Sequence, residues 1–500
     1  MRRQRSIPTS YEGVAIAALG LVVIAPALWS GWLGDDAFYS VLDGILGADH
    51  VSLWQAMRHS FDVWFFGGGR FYPGLILEKY LVFYIFTNLL AYKVFLVAAT
   101  LATLEMFRRC VAAYASRGIA NLSALVAITL FAERGYHDSI LSYNAMPQFV
   151  AMLVLGSLLA FRHVPAEGAA RSRAVSILLY ASAALTYEDA YGFCLLYPIV
   201  AAARGASWRE ALRQGWPFVA IAGGLTLFSL VARAIVGVPA GSLYAFDAAP
   251  VPLLRTLGDQ IVAAFPLSYY LFDPSHIFSH HGLHDFYNNA PVAQAVFVAF
   301  ALASWYAIAQ SAREGGDLRG LAAVGIAVLL LAAAPIAAVV KYQHELEPGL
   351  GYLPVFYEAF GVALAMAALA VWTSQRIASR WCSFAWIAAI AIVGTMTQAT
   401  NVRLVRENAA ARDARGALES QLDSGLLAAV PPSTFVATPP RDWIAYDGHG
   451  PDGISTRGLF YQHGRRRIRL VAPEDPRARV MLVYDPSDRL WSKRDTNGLR

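Results

Sequence analysis

Five hundred residues with 57% hydrophobic and only 15% charged side chains, at a mean hydropathy of +0.45, do not make an ordinary soluble enzyme, whose charged share is about 25%. The same figures exclude disordered and collagenous chains. Cys110, Cys194 and Cys382 lie in or beside apolar runs without CxxC or metal-ligand spacing, and they read as packing residues rather than a disulfide scaffold. The formal charge of +5 is spread over short loops and a tail instead of one basic stripe with aromatics, which speaks for membrane topology and against nucleic acid.

A helix needs about 20 apolar residues to cross roughly 30 Å of hydrocarbon. Runs of that kind predict about eleven membrane helices, with approximate cores at 12–32, 89–109, 118–133, 146–161, 174–188, 190–203, 216–236, 290–310, 320–340, 353–372 and 382–400. The fifth and sixth are short and poorly separated. No small-residue cleavage site follows Trp32, so the first run is expected to be an uncleaved helix rather than a signal peptide. Every second connection is basic: Arg2, Arg3 and Arg5, then Arg108, Arg109 and Arg117, then Arg162, Arg171 and Arg173, then Arg204, Arg209 and Arg213, then Arg313 with Arg319, then Arg376 with Arg380. This predicts an inner-membrane protein with a cytoplasmic N-terminus and an extracytoplasmic C-terminus.

Composition divides the chain into a membrane domain, 1–400, and a charged, Pro-containing soluble domain, 401–500. In the second, Asn401 to Leu427 reads as an amphipathic helix, and TFVATP, GLFYQ, RRIRLV and ARVMLVYD read as strands of a small α/β unit. The tail is expected to serve acceptor binding or stability rather than chemistry.

The long loops on the outer side carry the candidate chemistry. Asp35 and Asp36 directly follow the first membrane helix, where partial desolvation raises the basicity of a carboxylate facing a hydroxyl; alternatively they simply end that helix. Ser52 to Phe66 has apolar residues near helical spacing and predicts a helix lying along the interface. Gly67-Gly68-Gly69-Arg70 then places a guanidinium where it can meet a lipid phosphate, a reading shared with Arg134, Arg255 and Lys341; snorkelling at the membrane surface is the alternative for each. The segment FDPSHIFSHHGLHDF collects His280, His281 and His284, suited to hydrogen bonding of sugar or phosphate. His280 and His284 at i, i+4 leave a divalent metal as the minority alternative, and otherwise no cofactor is expected. Glu188, Glu345, Glu347 and Glu358 complete the acidic set, the last far enough inside a helix to imply a polar cavity.

Asp35-Asp36, the interfacial helix leading into Gly69-Arg70-Phe71, the polar loop ERGYHDSILSYNAMPQF and Gly351-Tyr352-Leu353-Pro354-Val355 together resemble the GT-C superfamily of membrane glycosyltransferases, in particular its bacterial O-antigen glucosyltransferase-like branch. The resemblance spans most of the chain. It implies a GT-C-like bundle that transfers one sugar from a polyprenyl-phosphate carrier to a surface glycan, lipid or protein acceptor, usually with inversion. It also implies that Asp35 or Asp36 is the general base, with Asp138 of His137-Asp138 assisting. The departing phosphate needs positive charge nearby, for which Arg70 and Arg134 rank first. Competing readings are a transporter or lipid flippase, against which the charge loaded into the outer loops speaks, and an O-antigen ligase or polymerase, which the 237–289 loop would suit but which does not require the early Asp-Asp and usually lacks a distinct soluble tail.

Overall fold

The computed structural model describes residues 11–134, 138–163, 170–237, 244–272, 290–377, 380–432, 434–437, 454–464, 469–472 and 475–496. The apolar runs all become helices, and the chain is a helical, multi-pass membrane protein. Helical stretches at Tyr11–Trp29, Leu89–Tyr114, Trp208–Val236, Pro291–Glu314, Leu318–Ala337, Val355–Arg376 and Arg380–Glu407 are long and apolar enough to cross a membrane. Arg117–Thr129, Met146–Phe161 and Ala170–Thr186 are shorter helices. The run at 190–203 is a 3-10 turn, Glu188–Leu195, that straightens into an α-helix, Leu196–Ala203.

Val355–Arg376 is the most enclosed of the long helices. It meets Leu318–Ala337 backbone to backbone, because Gly325 and Gly361 face each other. A Cβ on Gly361 would lie 2.6 Å from the Gly325 carbonyl oxygen, and one on Gly325 would lie 2.7 Å from that of Gly361. Without a hydrophobic drive between helices in lipid, such small-residue contacts supply the close packing.

Basic residues predicted to share one side gather at one end of the bundle. Arg117 pairs with Glu12 at 2.9 Å, the Gly118 N–H donates to Glu314 at 2.8 Å, and Arg204 lies over the Tyr114 ring at 5.5 Å. At the opposite end the chain builds short helices, Asp35–Tyr39, Leu42–Asp49, Leu53–Gly68 and Pro73–Ile85. Leu53–Gly68 opens on a capping box, with Ser52 Oγ accepting from the Gln55 N–H at 3.2 Å and Gln55 Oε1 from the Ser52 N–H at 2.7 Å. It stops at Gly69, whose φ of +60° is a conformation glycine adopts freely.

Arg380–Glu407 runs unbroken through the 400/401 boundary, and Ala409–Asp423 follows it. A four-stranded sheet comes next, β1 Phe435–Ala437, β2 Arg469–Val471, β3 Val480–Asp485 and β4 Leu490–Asp495, in the order β2-β1-β3-β4. β1 runs parallel to both β2 and β3, and β3 pairs antiparallel with β4. GLFYQ, expected as a strand, belongs to the helix Ile454–Gly464. Ser455, Thr456, Gly458, Leu459 and Phe460 are its buried residues, a recurrence over one helical turn rather than the alternation of a strand. Nor is the C-terminal core self-contained. Val41 and Ile45 of the first loop join Leu418, Leu422, Val436, Phe460, Leu482 and Trp491 in it.

Leu42–Asp49 and Ile454–Gly464 touch at glycines, and a Cβ on Gly44 would come within 1.9 Å of the Gly458 carbonyl oxygen. Gly44→Val should therefore force the two helices apart and cost about 1–3 kcal/mol, the usual penalty of overpacking. Thermal unfolding and protease cleavage within 409–496 would read this out; unchanged values would mean the contact bears no load.

Candidate functional site

The first loop is held by its second acid. Gly34, at φ +54°, turns the chain into the Asp35–Tyr39 helix, and Asp36 comes to rest completely enclosed, 0% exposed. Tyr92 Oη donates to Asp36 Oδ2 at 2.5 Å and the Asn144 N–H donates to Oδ1 at 2.8 Å. Asn144 and Ala145 both sit at positive φ, +44° and +66°, immediately before the helix Met146–Phe161. The Asn144 side-chain amide donates in turn to Glu78. Burial pushes the Asp36 carboxyl up to about 7, against the opposing charge of Lys93 and the two donated hydrogen bonds. Glu78 is also held well above the usual carboxylate range, by burial first and by Asp36 second.

Asp35 points elsewhere. It borders a cavity of about 320 Å³ together with Arg70, Lys79 and Lys341, and the walls between them are largely aromatic, including Tyr39, Trp64, Tyr72, Tyr187, Tyr244 and Tyr352. Burial raises the Asp35 carboxyl, while the charges of Lys79 and Lys341 pull it back. Lys79 Nζ donates to Tyr39 Oη at 2.7 Å; burial lowers its basicity, and neighbouring Tyr80, Asp35 and Glu78 sustain it. Arg70 is 7% exposed and donates to Glu188 through Nη2 at 2.8 Å and Nε at 3.4 Å. Its guanidinium lies 4.8 Å from the Tyr72 ring and 4.9 Å from that of Tyr244. Lys341 stands 3.8 Å from Glu345 and over the rings of Tyr244, Tyr342 and Tyr352. With Glu188 engaged by Arg70, the cavity keeps an excess of positive charge around one carboxylate, an arrangement able to hold an anion and take up a proton.

No protein-family model and no curated protein matches the chain. Among solved structures, the chain is similar to ArnT from Cupriavidus metallidurans bound to undecaprenyl phosphate, with 11% identity, a TM-score of 0.42, and coverage of 92% of this chain and 86% of that one.

Of the residues singled out in the sequence, Asp35, Arg70 and Lys341 line the cavity, Glu188 reaches it through Arg70, and Asp36 lies behind it. Three others have their partners outside that cavity. Asp138, expected to assist catalysis, accepts from the backbone N–H groups of Arg134, Ile140 and Leu141, the last two at 2.7 Å, and so knots its own loop. Arg134, expected to meet phosphate, is buried against carbonyls, donating to Gly349 at 2.9 Å, to Ala263 at 2.7 Å and to Leu350. Glu358 accepts from Gln260 Nε2 at 3.0 Å, and Gln260 Oε1 accepts from the Tyr352 N–H at 3.0 Å, so the pair braces the turn before its helix. His137, His280, His281 and His284 lie outside the described residues. Among the described residues no group of three or more His, Cys, Asp or Glu could hold a metal ion. Lys79 lines the cavity without having been singled out from the sequence; its one signal there is a lysine inside the apolar run that follows Pro73.

A carboxyl raised from 3.8 to about 7 keeps its proton in the folded protein over a pH range where the unfolded chain has lost it. Stability from Asp36 therefore falls as pH rises through that window. The melting temperature in detergent should drop between about pH 4 and pH 7, and Asp36→Asn, which stays neutral, should flatten the drop while Glu78 retains part of it. Equal slopes for parent and variant would refute the buried, protonatable Asp36.

Proposed function

We propose that this protein is a GT-C-type membrane glycosyltransferase that moves one sugar from a polyprenyl-phosphate carrier to an acceptor hydroxyl or amine on the extracytoplasmic face. The observation that carries the reading is the single cavity in which Asp35 faces Arg70, Lys79 and Lys341 at one end of a membrane-helix bundle. Asp35 takes the proton of the acceptor as that atom attacks the anomeric carbon. Burial raises its basicity, which makes it the better proton acceptor. The carrier phosphate departs with the bonding electrons, and Lys341 and Arg70 offset its charge. Glu188 orients the Arg70 fork, and Asp36, locked by Tyr92 and Asn144, sets the helix that presents Asp35. Between the two acids the assignment takes Asp35, because Asp36 has a donor on each oxygen and is not among the residues lining the cavity.

The test compares surface glycans and glycolipids by mass spectrometry in cells carrying the parent or a variant gene. Asp35→Asn keeps size and removes the proton acceptor, so transfer should fall by about 100-fold or more, with binding of a polyprenyl-phosphate lipid preserved. Arg70→Lys keeps charge but loses the planar fork and should mainly weaken binding of that lipid. Parental transfer by Asp35→Asn at normal expression would sink the mechanism.

The reading also fixes the topology. Reporters fused after Arg117 and Arg213 should report cytoplasm, and one fused after Arg403 should report the outer side. A cytoplasmic C-terminus would put the cavity on the wrong face of the membrane.

A further inference from the structure

A second cavity, of about 260 Å³, lies behind Arg70 and shares that residue with the first. Its polar wall is Glu188, Asp189, Tyr191, Ser229 and Arg233; the rest is mainly apolar. Asp189 is 2% exposed and its Oδ2 has no hydrogen-bond partner, and buried Nε of Arg233 is likewise unpaired. The Tyr191 and Ser229 hydroxyls lie side by side on the same wall. A buried polar atom left unpaired is costly, and several converging on one void mark a place where a polar ligand completes the bonding.

Charge decides which ligand. Two guanidiniums, Arg70 and Arg233, stand against two acidic side chains, Glu188 and Asp189, so the formal charges in this cavity balance, whereas the first carries surplus positive charge. A balanced wall of acceptors and donors suits an uncharged, hydroxyl-rich ring. An anion would meet two carboxylates there. The volume is below the roughly 300–1,000 Å³ of drug-sized pockets and suits a single ring rather than a chain of them. We infer that this second cavity, next to Arg70, holds the uncharged hexose of the lipid-linked donor, with Asp189 and Tyr191 reading its hydroxyls. The inference rests on the glycosyl-transfer reading above.

The experiment uses the full chain in nanodiscs and measures binding of undecaprenyl phosphate alone against undecaprenyl-phosphate glucose, galactose and mannose, with a galacturonosyl lipid as the charged comparison. The parent should bind at least one of the neutral hexosyl lipids about tenfold or more tighter than the bare carrier. Asp189→Asn and, as a milder change, Tyr191→Phe should each bring that ratio close to one while affinity for the bare carrier stays within about twofold. Sites built to hydrogen-bond a substrate hydroxyl lose selectivity in this way when a partner is removed. A preference that survives both substitutions overturns the assignment, as does a parental preference for the galacturonosyl lipid. Binding of the carrier with no preference for any neutral hexosyl lipid rejects the hexose pocket alone; binding of neither carrier nor hexosyl lipid rejects the glycosyl-transfer reading with it.

Discussion

The loop end of the helix bundle is organised around the enclosed carboxyl group of Asp36. Taking an ionisable group out of water is affordable only when hydrogen bonds or a proton replace the lost hydration, and here a tyrosine and a backbone amide supply them. The donors belong to different elements, the Leu89–Tyr114 helix and the turn before Met146–Phe161, so one carboxylate ties the first loop to two parts of the bundle. Trp32 adds an apolar fastening with its ring 4.9 Å from that of Tyr92. Successive helical residues point about 100° apart. Once Asp36 faces inward, Asp35 is turned to the cavity.

The cations around that cavity raise the same problem with the opposite sign. Arg70, Lys79 and Lys341 are each set against tyrosine rings. An aromatic face offers a charge some compensation without consuming all of its donors. Arg70 has a full ion pair in Glu188, Lys79 a phenol, and Lys341 a carboxylate only at 3.8 Å. Lys341 is thus the least committed of the three, on a short helix, Val340–Glu345, that follows directly on a membrane-spanning one. This gradient separates a guanidinium fixed in orientation from an ammonium with room to adjust.

The membrane helices and the Ser52-capped helix were legible in the sequence because length, hydropathy and capping act locally. That Asp35 and Arg70 lie at the loop end of the bundle was legible too, since one follows the first apolar run and the other the amphipathic segment and its glycines. What could not be read depended on contacts between distant segments. Asp138 and Arg134 look like site residues because they are charged and lie in a polar loop, yet their partners are backbone groups that only the fold brings near. Lys79 looks like a helix residue and becomes a cavity residue because Tyr39 stands across from it. In the tail, GLFYQ has strand-like composition and is overridden by packing against Leu42–Asp49, while the charged β4 segment LWSKRD is held chiefly by its ladder with β3 and by Trp491, whose indole donates to the Ala414 carbonyl at 2.7 Å.

A boundary at residue 400 follows composition, but the forces do not divide there. Arg415, on the helix after it, donates to Ser40 Oγ at 2.7 Å and pairs with Glu419 at 2.8 Å, and Arg412 donates to the Trp29 carbonyl at 2.6 Å. Both arginines therefore grip the segment that begins at the end of the first membrane helix and carries the two acids. Gly31 allows the approach, since a Cβ there would sit 3.0 Å from Cβ of Arg412. With Val41 and Ile45 inside the C-terminal core, unfolding of that unit would expose one face of the first loop, while Tyr92 and Asn144 still held Asp36 from the other. The loop is clamped between the bundle and the appended unit. Its precision at Asp35 is a property of both, so an energetic boundary runs through the first loop rather than between the two regions of the chain.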